Sequence, residues 1–226
     1  MKIVVAARCR NGERYVERFL RGYSFADQIV ISDGGSTDRS VEMLENRDKV
    51  TLLHFDGEET INGHTWNPDA PHMNFVLDAA KALEPDWLIF DDFDCVPNAL
   101  LRQEARELLS SCEDSQVHIF RLYMWNDNEY FPKMNNYFDP LYTSIWAWQP
   151  KKIDIKADIT KHHGTLIGVD YPSSAILDTP LCLLHKSWDE DTIEDKLKHY
   201  AAVGIDMKHP FIFAGEREPL PEWAKE

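Results

Sequence analysis

The amino-acid sequence predicts an α/β fold with a mainly parallel central sheet flanked by helices. Short apolar runs, typical of strands buried on both faces, alternate with segments whose apolar residues repeat at helical spacing. The clearest run is residues 87–90, which lead directly into Asp91, Asp92 and Asp94. Open α/β sheets bind their ligands at the carboxyl ends of the strands, so these acids mark a candidate site.

The first half of the chain supplies the regular strand–helix alternation. It predicts strands at residues 2–7, 28–32, 50–55 and 87–90, and helices at 13–20, about 73–83 and about 99–109. After the second strand, two glycines permit a tight turn, and Ser36 or Thr37 is expected to cap the next helix. Residues 56–71 are rich in Gly, Asn, His and Pro and predict a loop.

The second half has a less regular pattern and predicts a mixed α+β part. Strands are expected at residues 117–125, 153–159 and 180–185, a helix at 191–203, and irregular structure from His209 onward. The middle strand is expected because its apolar and polar residues alternate strictly. We therefore predict one domain over 1–204, with halves at 1–110 and 111–204, followed by an irregular tail over 205–226.

The composition argues against several classes of protein. The chain has 226 residues, and its formal net charge of −15 at pH 7 does not suit a surface that neutralises nucleic-acid phosphates. No apolar run approaches the roughly 20 residues of a membrane helix, and the first residues do not resemble a signal peptide. We therefore expect a cytoplasmic protein without an integral membrane segment. The four cysteines form no CxxC pair, which argues against a zinc site.

The acidic stretch after residues 87–90 has two interpretations. Asp92 and Asp94 are two positions apart, so in an extended chain their side chains point to the same side. Carboxylates that close repel one another and are best tolerated around a hard divalent cation such as Mg²⁺ or Mn²⁺. The alternative is a solvated acidic turn before a helix that Asn98 caps.

Four segments, taken in chain order, resemble family 2 glycosyltransferases of the GT-A fold. Residues 33–38 look like the D-x-G-S-T-D signature of that family, and residues 92–94 look like its DxD motif. Residues 6–8 resemble the first nucleotide-contacting segment, and residues 72–74 resemble the segment that carries an Asn ahead of the DxD strand. The resemblance covers about the first hundred residues.

The resemblance implies transfer of a sugar from a nucleotide-diphosphate sugar, with a UDP-sugar favoured, and Mn²⁺ or Mg²⁺ as cofactor. It implies an unknown acceptor that is a glycan, a lipid-linked molecule or a small molecule. The same resemblance implies that Asp94 ligates the metal and that Asp92 lies near both the metal and the ribose. Four further residues would contact the nucleotide: Ala6, Arg8, Asp33 and Asn74.

The resemblance also points to residues in the second half of the chain. His185 is the candidate for a further metal ligand, and Lys198 lies in a polar stretch of the kind that reaches the diphosphate. A related subgroup carries a His-Glu pair that supplies the general base, whereas this chain has His163 followed by a glycine. The base could be His163, Asp127 or a carboxylate elsewhere. Aromatic residues crowd residues 125–148 and suggest an acceptor side that stacks on sugar rings, or a second core layer.

Other functions remain open at this level. Residues 92–96 also fit the DxDxV pattern of a phosphatase with Asp92 as nucleophile, but that class carries the motif on its first strand. A nucleotidyltransferase should carry a Gly-rich basic loop, to which residues 8–12 are a faint match. A nucleotide-sugar or glycan-binding module without turnover is the non-enzymatic alternative, because the expected Glu after His163 is missing.

Overall fold

The structure is a computed structural model that describes residues 1–61, 64–131, 144–159, 166–167, 174–186, 193–202 and 217–226. Its first half contains β1 (Ile3–Cys9), α1 (Val16–Gly22), β2 (Gln28–Asp33), α2 (Ser40–Leu44), β3 (Val50–His54), β4 (Glu59–Ile61), β5 (His64–Trp66), α3 (Asp69–Lys81), β6 (Trp87–Phe90), β7 (Cys95–Pro97) and α4 (Ala99–Ser111). Its second half contains β8 (Gln116–Tyr123), β9 (Glu129–Tyr130), β10 (Ser144–Trp148), β11 (Lys156–Ala157), β12 (Leu166–Ile167), β13 (Ser174–His185), α5 (Ile193–Ala202) and β14 (Glu218–Pro219). Short 3-10 turns lie at Glu13–Tyr15 and Glu222–Ala224.

An eight-stranded sheet in the order β3-β2-β1-β6-β10-β8-β13-β7 forms the centre of the structure. The pairs β3–β2, β2–β1, β1–β6 and β8–β13 are parallel. Strand β10 runs antiparallel to both β6 and β8, and β7 runs antiparallel to β13. The carboxyl ends of β1, β2, β6, β8 and β13 therefore lie at one edge of the sheet, and the predicted mainly parallel α/β architecture is confirmed.

The sheet is buried on both faces, which explains the unbroken apolar runs. Along β1, Ile3 and Val5 belong to the core shared with α1 and α4, whereas Val4 and Ala6 belong to the core shared with α3. All four side chains are fully buried. Because successive residues of a strand point to opposite faces, a strand covered on both sides has to be apolar at every position.

One loop assignment and one helix-cap assignment from the sequence need correction. The predicted loop at 56–71 contains the β4–β5 hairpin and the start of α3 at Asp69. The helix after the β2 turn begins at Ser40, and neither Ser36 nor Thr37 caps it. Instead Asp38 accepts hydrogen bonds from the backbone nitrogen atoms of Ser40 and Glu13, both at 2.9 Å. A carboxylate there satisfies free N–H groups and lies at the positive end of the helix dipole.

The strand predictions in the second half hold only in part. Strand β10 was not expected, and the strand predicted at 153–159 is reduced to β11. Burial still alternates there, because Ile155 and Ala157 are buried against α3 while Lys156 is exposed. Strand β13 begins six residues before the predicted start at Pro180, and its register with β8 shifts between Leu177 and Cys182.

The described part of the predicted tail packs against the sheet. Strand β14 pairs with β9, and Leu220 and Ala224 are buried. The side chain of Asn98 caps α4 by accepting from the Leu101 nitrogen at 3.0 Å, and its amide donates to the Trp223 carbonyl at 2.9 Å. None of the helices in the described ranges has the length and apolar character needed to cross a bilayer.

Candidate functional site

Two carboxylates and an imidazole meet at the carboxyl edge of the sheet. Asp92 and Asp94 lie in the turn between β6 and β7, and His185 is the last residue of β13. One ligand atom from each side chain lies within 4.8 Å of the others, and Nε2 of His185 is 3.1 Å from Oδ1 of Asp94. The structure therefore brings together the three residues that the sequence proposed as metal ligands.

Sheet topology explains how residues so far apart in sequence become neighbours. Strand β7 turns back directly after the acidic turn and pairs with β13, with Cys95 opposite His185. This pairing places His185 beside the residue that precedes Cys95, which is Asp94. The contact between Asp94 and His185 therefore depends on the pairing of β7 with β13, two strands that are far apart in sequence.

The donor set of this cluster suits a divalent cation. Carboxylate oxygens are preferred by Mg²⁺ and Mn²⁺, and an added imidazole suits first-row transition metals. His185 is 7% exposed, and its Nδ1 atom has no hydrogen-bond partner among the described residues. Its ring lies 5.2 Å from that of Tyr123, so one side of the imidazole is packed and Nε2 is directed to the acids.

Asp92 lies between two arginines. Nη2 of Arg8 is 3.7 Å from Oδ1 of Asp92, and Nη1 of Arg121 is 3.4 Å from Oδ2. Arg8 is itself held by Asp69, at 2.6 Å from Nη1 to Oδ1. One arginine therefore faces each oxygen of the Asp92 carboxylate.

A buried hydrogen-bond network around Asp91 holds Arg121 next to Asp92. Asp91 is fully buried and accepts hydrogen bonds from the Tyr23 hydroxyl and from Nη2 of Arg121, the latter at 3.1 Å. Burial raises the pKa of the Asp91 carboxyl, and the Arg121 guanidinium and the Tyr23 hydroxyl act in the opposite direction. Asp91 is thus a structural acid directed to the interior, although it belongs to the same acidic stretch as Asp92 and Asp94.

Sequence reasoning missed the roles of Tyr23, Asp91 and Arg121. A usable signal was present for Arg121, which lies in an otherwise apolar strand prediction. An arginine inside a buried strand needs a carboxylate partner, because an unpaired buried charge is costly. The sequence alone does not identify this partner, and the structure shows that Asp91 and Asp92 fill the role.

Asp33 organises its own turn. It is 2% exposed, and its Oδ2 accepts from the backbone nitrogen atoms of Gly35 and Ser36 at 2.9 and 3.0 Å. The Ser36 hydroxyl donates to Oδ1. Gly35 has a φ of +85°, and a Cβ at Gly34 would lie 2.0 Å from the side-chain oxygen of Asn67. The D-x-G-S-T-D sequence is therefore explained locally by turn geometry, and the nucleotide contact of Asp33 stays a prediction.

Apart from Asp92, the four other predicted nucleotide contacts differ in their surroundings. Arg8 lies at the acidic cluster, as described above. The Ala6 side chain is fully buried in the sheet, and its carbonyl accepts from the Asp91 nitrogen at 3.2 Å. Asn74 bonds the backbone of Ala157 through both ends of its amide, at 2.7 and 3.1 Å, and so ties β11 to α3. Lys198 is an exposed residue of α5.

Of the two named candidates for the general base, the structure describes Asp127 but not His163. Residues 160–165, with His163, lie outside the described residues, as do three aromatic residues of the segment 125–148, Tyr137, Phe138 and Tyr142. Asp127 is largely exposed and forms an ion pair with Lys186, the residue after His185. The hydrogen bond from Lys186 lowers the pKa of Asp127, which makes this carboxylate a weaker base while the pair is intact.

A second histidine lies close enough to Arg8 to be affected by its charge. His72 of α3 bonds Ser32 through Nε2, at 2.9 Å to the hydroxyl and 3.1 Å to the carbonyl. Its ring stacks on Phe55 at a centroid distance of 4.4 Å. Burial lowers the pKa of His72 to about 4, and the charge of Arg8 acts in the same direction. His72 is therefore neutral at pH 7.

Sequence comparison finds similar proteins but assigns no family to the chain. No family model matches the chain. Uncharacterized proteins of Mycobacterium tuberculosis (Rv3786c) and Mycobacterium bovis (Mb3815c) are each 25% identical to it, over 97% of this chain and 55% of the relative. The chain thus spans about half the length of the curated relatives it matches.

Solved structures of S. aureus TarS have the same architecture. The TarS structure superposes with a TM-score of 0.54 at 16% identity, over 82% of this chain and 37% of TarS. A fragment of TarS in complex with UDP-GlcNAc gives a TM-score of 0.52 at 15% identity, over 83% of this chain and 59% of the fragment. At these identities the likeness shows the fold alone. The chain has a mixed α/β fold with a large, mostly parallel central sheet, as GT-A glycosyltransferases do.

Proposed function

We propose that the chain is a metal-dependent glycosyltransferase that uses a nucleotide-diphosphate sugar, with UDP as the favoured nucleotide. The observation that carries the proposal is the meeting of Asp92, Asp94 and His185 at the carboxyl edge of a GT-A sheet. Ligands of open α/β sheets bind at that edge, and the donor set suits Mn²⁺ or Mg²⁺. The fold neighbour TarS has been solved with UDP-GlcNAc, which makes a UDP-sugar the first donor to test.

Each residue of the cluster has a distinct part in this proposal. In it Asp94 and His185 hold the cation, and Asp92, which lies between two arginines, orients the donor. A divalent cation supplies positive charge for the diphosphate leaving group, which an acidic protein otherwise lacks. Arg8, which faces Asp92, could add to this positive charge.

The finer parts of the proposal rest on the sequence. They are membership of glycosyltransferase family 2, an inverting outcome, a cytoplasmic location and an acceptor that is a glycan, a lipid-linked molecule or a small molecule. Asp127 and His163 remain the proposed general bases, and Lys198 the proposed diphosphate contact. Asp127 could accept a proton from an acceptor hydroxyl only after separating from Lys186.

A thermal-shift titration with UDP, GDP, ADP and CMP, each with and without Mn²⁺, tests the proposal. A ligand that binds only the native state stabilises it by RT ln(1 + [L]/Kd), about 2.7 kcal/mol at a hundredfold excess over Kd. We expect a Mn²⁺-dependent shift with UDP, absent in Asp94→Asn, followed by transfer or slow hydrolysis of a UDP-sugar. No shift with any nucleotide would overturn the proposal. A shift without any turnover would favour the binding module instead.

A further inference from the structure

Arg18 of α1 connects the two backbone segments that carry Asp94 and His185. Its side chain is 9% exposed. Nη1 donates to the carbonyl of Asp94 at 2.9 Å, and Nη2 donates to the carbonyl of Leu184 at 3.1 Å. Leu184 directly precedes His185, so one guanidinium bonds the backbone on both sides of the proposed metal site.

This connection lies at the end of the pairing between the two strands. The pairing of β7 with β13 ends at Cys95 and His185, and Asp94 is the first residue beyond it. The Lys186 nitrogen adds one hydrogen bond to the Asp94 carbonyl, at 3.0 Å. The Arg18 guanidinium adds two further hydrogen bonds, one to the backbone of each segment.

The guanidinium is suited to this task because its donors have a fixed geometry. Its planar fork holds two acceptors at a set separation, which the flexible ammonium of lysine does not do. Nε of Arg18 is occupied by a third group, the Glu226 carboxylate. With Nε, Nη1 and Nη2 all engaged, the orientation of the guanidinium is determined by its surroundings.

Glu226 is also bound from a second side. Its other carboxylate oxygen accepts from Nη2 of Arg21 at 3.0 Å. Arg21 is much more exposed than Arg18, at 62% of its side chain, and its described side-chain contact is with Glu226. Arg21 and Arg18 thus share one carboxylate, but only Arg18 reaches the carbonyls next to the cluster.

We propose that Arg18 is a positioning residue that sets the separation of Asp94 and His185, and thereby the affinity of the cluster for a divalent cation. Glu226 holds Arg18 in the orientation that this requires. The inference rests on the proposed metal site, and it adds a determinant of metal affinity that touches neither the cation nor the substrate. Groups behind the ligands of a metal site have this kind of effect because they fix ligand orientation.

Mn²⁺ binding by the intact chain tests the inference without any turnover. Free Mn²⁺ is measured by electron paramagnetic resonance during titration of the apo-protein, alone and with saturating UDP. Arg18→Met removes both carbonyl contacts, and we expect the Mn²⁺ Kd to rise by about tenfold or more. Arg18→Lys should fall between Arg18→Met and the wild type, and Glu226→Gln should shift the Kd in the same direction by a smaller factor.

Arg21→Ala is the matched control, because it removes a guanidinium from the same carboxylate without touching the cluster. Its Kd should stay within about twofold of the wild type, since exposed ion pairs contribute little. Urea unfolding of each variant confirms that the titrated protein is folded. If Arg18→Met does not fold, Arg18→Lys and Glu226→Gln carry the test.

The outcomes separate this inference from the proposed function. If the wild type binds Mn²⁺ and the Arg18 and Glu226 variants bind it equally well, Arg18 is only structural and the inference is overturned, while the metal site stands. An equal loss in Arg21→Ala would also overturn it, because the carbonyl contacts would then not be the cause. If the wild type binds no Mn²⁺ with or without UDP, the proposed metal site and the inference both fail.

Discussion

The two acids of the pair at residues 92 and 94 have different surroundings although they are two positions apart. Asp92 has an arginine facing each carboxylate oxygen, whereas Asp94 faces the imidazole of His185. A guanidinium carries a fixed positive charge and cannot bind a cation, whereas an imidazole nitrogen is itself a metal ligand. The negative charge of Asp92 is therefore already compensated by the protein, and that of Asp94 is available to a bound cation.

The comparison shows that spacing identifies a pair of acids but does not say what each one does. An arginine-flanked carboxylate is a fixed group that costs stability to disturb. A carboxylate beside an imidazole, which can itself bind a metal ion, is a ligand whose removal should leave the fold intact. We refer below to these as the arginine side and the imidazole side of the site.

The largest expected effect is on the imidazole side. Asp94→Asn should abolish the Mn²⁺-dependent thermal shift with UDP and reduce turnover by at least about a hundredfold, because the cation loses an anionic ligand. The free energy of unfolding should stay equal or rise, since a repulsion between neighbouring carboxylates is removed. Turnover, thermal shifts and urea unfolding measure the three quantities.

Asp92→Asn is the matched control for that experiment. It leaves Arg8 and Arg121 facing a neutral amide, so it should destabilise the fold more than Asp94→Asn does. Equal losses of stability and of Mn²⁺ binding in the two variants would contradict the distinction between the two sides.

The next effect is on the arginine side and concerns stability. Arg121→Met leaves Asp91 buried without its charged partner, which should cost about 3–5 kcal/mol of unfolding free energy. Arg106→Met is the control, because its ion pair with Asp27 is exposed and should be worth about 1 kcal/mol or less. A similar result for both arginines in urea unfolding would show that the buried network contributes little.

A smaller effect is a pH dependence that comes from His72, which lies close enough to Arg8 to be affected by its charge. Its ordinary pKa is 6.5, and in the folded chain it is lowered to about 4. Between these values the unfolded chain binds a proton that the native chain does not, so the free energy of unfolding falls as the pH falls. The total change for His72 is about 3 kcal/mol at most.

Urea unfolding between pH 7 and pH 4 measures this dependence, and His72→Gln provides the comparison. The slope of stability against pH should be smaller in the variant over that range. Parallel slopes would show that other groups account for the acid sensitivity.

The smallest effect is expected for the exposed pair between Asp127 and Lys186. Asp127→Asn should change the free energy of unfolding by less than about 1 kcal/mol, because the carboxylate is largely exposed. The same variant shows whether Asp127 acts as the base. A loss of turnover of about a hundredfold with unchanged stability would support that role, and unchanged turnover would direct attention to His163.

Much of the fold could be predicted because its first half depends on local pattern. Strands β1, β2 and β6 are apolar runs buried on both faces, and α3 and α4 show helical spacing. Strand β3 is a partly buried run at the end of the sheet. Strand β10 was missed because it is inserted between β6 and β8 by the tertiary topology, and nothing near it in sequence indicates those partners. The extent of β13 was missed for a related reason, since it continues across a bulge that contains Pro180.

The site residues likewise fall into those that a local pattern predicts and those that it does not. Asp92 and Asp94 follow directly from a strand and its acids, and His185 was proposed only through a family resemblance. Arg18 and Arg121 could not be assigned from local sequence, because their partners are brought to them by long-range packing. A buried arginine indicates that a partner exists without identifying it.

The pairing of β7 with β13 has a consequence for the order in which the protein can assemble. The parallel strands β1, β2, β3 and β6 join segments from the first part of the chain, whereas β7 must wait for a strand about ninety residues further on, with the larger entropy loss that closing such a loop carries. Asp94 and His185 come together only when that strand docks. A chain whose early strands have already paired would therefore still lack its cation site, so Mn²⁺ binding would report the last stage of folding.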